Sequence, residues 1–147
     1  MSPTGHISVR EAVKGLRVPP YFIHSQEISN TSLALRTAGF KVFLADAADS
    51  DSEADLVRTI GAALPFPDYF GNNWDAFNDC LIDLKREGYG ALALMITGCD
   101  RLALVNPYVF TRSVHLLLQA SEGLERSTDA LQFEVFFCGT SESWRPI

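Results

Sequence analysis

The chain has 147 residues, 47% of them hydrophobic, and carries a formal net charge of −6. That length supports one well-buried core rather than two comfortable domains, and the acidic balance argues against direct nucleic-acid binding, which needs a basic surface to displace counterions from phosphates. Cys80, Cys99 and Cys138 make an odd count without CxxC or Cys/His metal spacing, so neither a disulfide framework nor a zinc site is indicated.

No apolar stretch approaches the roughly 20 residues of a membrane span. The opening MSPTGHISVREAV lacks the apolar core of a signal peptide. The expectation is a soluble, cytoplasmic protein with reduced thiols and no cofactor.

In chain order, Ser8-Val9-Arg10-Glu11 fits a capping box, with Val9, Val13 and Leu16 as the apolar side of a short helix and Gly15 available to end it. Pro19 and Pro20 break the chain, and Tyr21 to His24 is a short apolar run suited to a buried strand. His24 within it reads as a hydrogen-bonded core or edge histidine rather than a catalyst. Asn30 or Thr31 is placed to cap a helix through Leu33, Leu35 and Ala38, with Gly39 at its C-terminal cap. A strand from Phe40 to Ala45 follows. In the stretch from Asp46 to Asp55, Ser50 or Ser52 caps a helix whose first turns hold Asp51, Glu53 and Asp55, where the helix dipole accounts for the acids. Leu56, Val57, Ile60, Ala63 and Leu64 form its buried stripe.

The next stretch, LPFPDYFGNNWDAFNDCLIDL from Leu64 to Leu84, organises the chain. Pro65 and Pro67 hold the approach extended, Gly71 permits a turn, and Asn72 or Asn73 caps a helix that starts near Trp74. At about 100° per residue, Trp74, Phe77, Leu81 and Leu84 share one stripe while Asp75, Asp79 and Asp83 lie opposite. Trp74 and Phe77 are assigned to the core. Like charges four residues apart repel, and no Lys or Arg partner stands beside these three in the pattern. Fold stability does not need them. Tyr69, Phe70, Asn72 and Asn73 cluster beside the acids, and aromatic groups next to carboxylates suit a recognition patch.

Lys85-Arg86-Glu87-Gly88 closes that helix with positive charge and a glycine. Ala91 to Thr97, ALALMIT, is apolar throughout and predicts a strand buried on both faces. Gly98 to Asn106 reads as a connection. Pro107 opens an amphipathic helix through Val109, Phe110, Val114, Leu117 and Leu118, and Glu122 to Asp129 reads as a polar turn. Leu131 to Cys138 is a further apolar strand, and the tail from Gly139 is polar apart from Trp144. This alternation predicts an α/β fold, a small mainly parallel sheet of three to four strands covered by helices.

The run Pro67-Asp68-Tyr69-Phe70-Gly71-Asn72-Asn73-Trp74-Asp75-Ala76-Phe77-Asn78-Asp79-Cys80-Leu81 resembles the barstar family of intracellular ribonuclease inhibitors. The resemblance implies a core from about Phe40 to Gly139, with residues 1–39 packed on it as an extension that adds an edge strand and cover, all in one domain. It also implies that this loop and helix plug a ribonuclease active site, with Asp75 and Asp79 meeting the enzyme's Arg, Lys and His groups in place of RNA phosphates. Two carboxylates four residues apart lie about 6 Å apart along a helix axis, near the spacing of successive phosphates on a single strand. The implied partner-binding set is Tyr69, Phe70, Gly71, Asn72, Asn73, Asp75, Asn78 and Asp79. The family pattern has another tryptophan where this chain has Asn78. It also places a further acidic contact on the last helix, near Gln119 here, for which Glu122 or Glu125 is the available substitute.

The implied function is inhibition of a basic ribonuclease or ribonuclease-type toxin by a protein that is monomeric when free. The alternative is an adaptor that binds another basic protein through the same face. Catalysis fits poorly. Asp75 and Asp79 as a Mg²⁺ or acid–base pair lack convergent ligands from elsewhere. No P-loop, GxGxxG or GxSxG occurs, and His6, His24 and His115 sit in unrelated contexts.

Overall fold

The four apolar runs pair side by side in a computed structural model that describes residues 6–67, 73–125 and 131–144. They form β1 (Tyr21–His24), β2 (Lys41–Asp46), β3 (Ala91–Thr97) and β4 (Gln132–Gly139) of one sheet in the order β1-β4-β3-β2. Every pairing is parallel. Parallel neighbours need helical crossovers, and six α-helices are described: α1 (Val9–Ala12), α2 (Ile28–Ala38), α3 (Glu53–Ala63), α4 (Trp74–Arg86), α5 (Cys99–Val105) and α6 (Pro107–Glu125). The fold is α/β, as expected.

Side-chain alternation along the inner strands divides the interior into two layers. Leu92, Leu94 and Ile96 of β3 and Phe133, Val135 and Phe137 of β4 face α3, α4, α5 and α6. Ala93 and Met95 of β3, with Phe136 and Cys138 of β4, face the other way, against Leu35 of α2 and Val9 of α1. Leu92 to Ile96 are therefore buried without a break, the signature of a strand covered on both faces. β1 lies at one edge, and its Tyr21 stacks on Phe136 of β4 at 5.1 Å between ring centroids.

Four expected boundaries shift. The segment from Gly98 to Asn106 is largely helical rather than a connection. Gly98 adopts φ +76°, and a Cβ there would come within 3.0 Å of the Ala48 backbone nitrogen, so the glycine turns β3 straight into α5. Leu102 of α5 then enters the core. Residues 122–125, expected in a polar turn, are helical instead, because α6 continues to Glu125 and Leu124 still packs on the core; the rest of that expected turn lies outside the described residues. At α2, neither Asn30 nor Thr31 caps. A 3-10 turn at Ser25–Glu27 leads into the helix at Ile28, and Thr31 is buried within it. Helix α1 stops at Ala12, where Val13 turns extended, so Val13, Gly15 and Leu16 lie beyond it rather than within or at its end. Other caps follow the sequence: Ser8 accepts from the Glu11 N–H, Ser52 from the Asp55 N–H, and Gly39 ends α2 at φ +119°. Pro107 opens α6, with the preceding Asn106 side chain accepting from the Val109 N–H.

The tail carries a structural tryptophan. Trp144 donates its indole N–H to the Phe137 carbonyl at 2.8 Å and meets Phe22 and Phe110 edge-on. Its indole lies over Gly139, where a Cβ would approach within 2.7 Å of the ring. No helix among the described residues is long and apolar enough to cross a membrane.

Candidate functional site

Helix α4 is where the chain separates a packing face from a charged one. Asn73 is its N-cap: the backbone is extended there, and the side-chain oxygen accepts from the Ala76 N–H at 2.8 Å. This satisfies one orphan donor of the first turn. Phe77, Cys80, Leu81 and Leu84 are buried, with Phe77 wedged edge-on between Phe66 and Phe133. Trp74, assigned to the core from its spacing, is only half-buried. It packs edge-on against Phe77 and also lines a surface groove.

Asp75, Asn78 and Asp79 are exposed. Asp83 is exposed too, but contrary to the expectation of no basic partner it pairs with Arg86 at 3.4 Å, because residues three apart meet on a helix surface. Asp75 and Asp79 have no ion-pair partner among the described residues. The acids of the preceding helix differ: Asp51 pairs with Arg101 at 2.8 Å, Glu53 with Arg112, and Asp55 with Arg58. The first two contacts tie the start of α3 to α5 and α6, a structural use added to the dipole effect. The Cys80 thiol responds to the acidic surroundings. Burial pushes its pKa up, and the charges of Asp83 and Asp79 push it further.

Of the remaining sequence-assigned contacts, Tyr69, Phe70, Gly71 and Asn72 lie outside the described residues. The side chain of Glu125 lies outside them as well. Gln119 and Glu122 are exposed on α6, and Gln119 lines the same groove as Asn78. The structure thus brings Asn78 and Gln119 together across two helices, a relation that spacing within either helix does not reveal.

Among the described residues no group of three His, Cys, Asp or Glu side chains gathers as a metal cluster would. His24 is fully used in the fold. Its Nδ1 accepts from the Gln26 N–H, which leaves Nε2–H to donate to the Thr140 carbonyl at 3.0 Å. Cys80, Cys99 and Cys138 are free and buried.

Fold and helix together define a small parallel α/β protein that offers an exposed pair of carboxylates at one end of a capped helix. The family model described as "Barstar (barnase inhibitor)" matches residues 40–138, about two thirds of the chain. The chain belongs to the barstar family, an inhibitor family rather than an enzyme family. The match begins next to β2 and ends within β4, so β1, α1 and α2 precede it. No curated protein matches the chain.

Proposed function

We propose that this protein inhibits a basic ribonuclease or ribonuclease-type toxin by laying the start of α4, and the loop residues before it, across the enzyme's active site. The observation that carries the reading is the contrast among the acids: Asp51, Glu53, Asp55 and Asp83 are each engaged by an arginine, whereas Asp75 and Asp79 stand exposed and unpaired among the described residues. Unpaired carboxylates one turn apart repel each other. A cationic surface relieves that repulsion on binding. The net charge of −6 acts in the same direction at longer range, speeding encounter with a basic partner in a manner that salt screens.

Asp75 and Asp79 supply the charge, and Asn78 between them presents an amide for hydrogen bonding. Tyr69 and Phe70 supply apolar contact, Gly71 and Asn73 shape the approach, and Asn72 adds a second amide. Barstar-family membership supports this assignment. The buried free thiols suit a reducing compartment such as the cytoplasm.

The test is inhibition of a panel of small basic microbial ribonucleases by the purified protein at low and high salt, with Asp75→Ala and Asp79→Ala alongside. Tight inhibition that weakens with salt is expected, with each substitution costing at least about 2 kcal/mol, roughly 30-fold. That magnitude is borrowed from interfaces among which the barnase–barstar complex is itself a standard case. Both variants should keep the wild-type melting temperature, since neither side chain packs. Wild-type inhibition in either variant rules out the carboxylate assignment. A folded protein that inhibits none of the enzymes directs the search to another basic partner for the same face.

A further inference from the structure

Beside the two carboxylates the surface is not flat. A groove of about 480 Å³ runs between α4 and α6, walled by Trp74, Asn78 and Ile82 on one side and by Leu116, Ala120 and Gly123 on the other. Its volume falls in the range of sites that take small organic groups. Ile82 is 46% exposed. The amides of Asn78 and Gln119 border the groove from opposite helices.

The groove and the acid pair are adjoining strips of one surface. Asn78 stands three residues after Asp75, and Ile82 three residues after Asp79, so each carboxylate has a groove residue as its helix-surface neighbour. A protein that seats on both carboxylates covers about 800 Å², a footprint roughly 30 Å across. The near wall of the groove stands on the same helix as both carboxylates. A partner held at Asp75 and Asp79 therefore extends over the groove, and leaving that apolar hollow empty forfeits the burial it offers.

Resting on the inhibitor reading above, we propose that the groove receives one apolar side chain of the same ribonuclease, aromatic or branched aliphatic, from a segment next to the cationic groups that meet Asp75 and Asp79. Charge selects basic partners as a class, and the groove selects among them by shape. The Asn78 and Gln119 amides hydrogen-bond the backbone that carries the inserted side chain. The placement matches an anchor residue in a pocket surrounded by a polar rim.

Gly123 makes the inference testable without touching a charge. A Cβ built on it meets nothing within 4 Å, so a larger side chain at this lining position has open space beside the groove and does not disturb the core. Replacing a helical glycine also favours the helix. The experiment measures inhibition constants and dissociation rates of the full chain against the same ribonuclease panel for the wild type, Gly123→Leu, Ile82→Ala and Asp79→Ala, at two salt concentrations. Gly123→Leu is expected to weaken inhibition at least about tenfold, mainly through faster dissociation, with unchanged salt dependence and no loss of melting temperature. Ile82→Ala, which removes one wall, is expected to weaken it several-fold. Gly123→Leu and Ile82→Ala both binding as tightly as the wild type, while Asp79→Ala does not, overturns the groove and leaves the inhibitor reading standing. A folded wild type that inhibits no ribonuclease overturns both.

Discussion

Asp100 shows how differently the chain uses a carboxylate when the fold needs it. Its oxygens accept from the backbone N–H groups of Arg101, Thr140 and Ser141 and from the Thr140 hydroxyl, which joins the start of α5 to the end of β4. Burial acts to raise its pKa, but the combined hydrogen bonds outweigh burial and hold the carboxyl below its ordinary value. A folded-state pKa below the unfolded value adds stability that is present above the unfolded pKa of about 3.9 and is lost as pH falls through the folded value. Asp100→Asn is expected to cost about 1–2 kcal/mol at pH 7, and urea unfolding should show the gap from the wild type closing below about pH 4. Asp75 and Asp79 have no such duties, so their replacement is read in binding and not in unfolding.

At the scale of the element, α4 depends on its cap. Asn73→Ala leaves the Ala76 N–H without its side-chain acceptor and should cost about 1 kcal/mol, a fall in melting temperature of about 2–4 °C. Fraying then loosens the turn that holds Asp75, so inhibition should weaken modestly alongside stability. The four strands were legible because their apolar runs are bounded by turn residues, and α4 because Asn73 and the Phe77–Leu81–Leu84 stripe mark its start and its buried side. Helix α5 was not legible. Its seven residues are too few for a period to emerge, and a glycine with positive φ, rather than a capping side chain, begins it. The end of α6 was hidden because its polar residues suggested a turn, whereas Leu124 still had core to reach. The acid pair could be read from one helix alone. The groove could not, since its second wall belongs to a helix more than thirty residues further on.

At the scale of the molecule, the region matched by the family covers only part of what keeps the sheet dry. Removing residues up to Gly39 takes away β1, α1 and α2 and exposes Ala93, Met95, Phe136 and Cys138, the face of the sheet that Leu35, Val9, Tyr21 and Ile23 now cover. Such a truncated chain is expected to aggregate or to lose fixed tertiary packing, seen by size-exclusion chromatography and near-ultraviolet circular dichroism. The two sides of the sheet are thus covered by different parts of the chain: helices α3 to α6 pack on one face, while the N-terminal layer closes the opposite side.

The order of the sheet also sets a clock on its assembly. β4 is the latest of the described strands along the chain yet occupies an interior position, and the Phe136 that partners Tyr21 follows it by more than a hundred residues. On a ribosome, β1 therefore waits for more than a hundred further residues before its neighbour emerges, and β3 waits for the same strand. Pairings this distant slow folding and lengthen exposure of apolar strands. A polypeptide released before β4 is made lacks the strand that joins β1 to β3, so the sheet closes only once that strand is present.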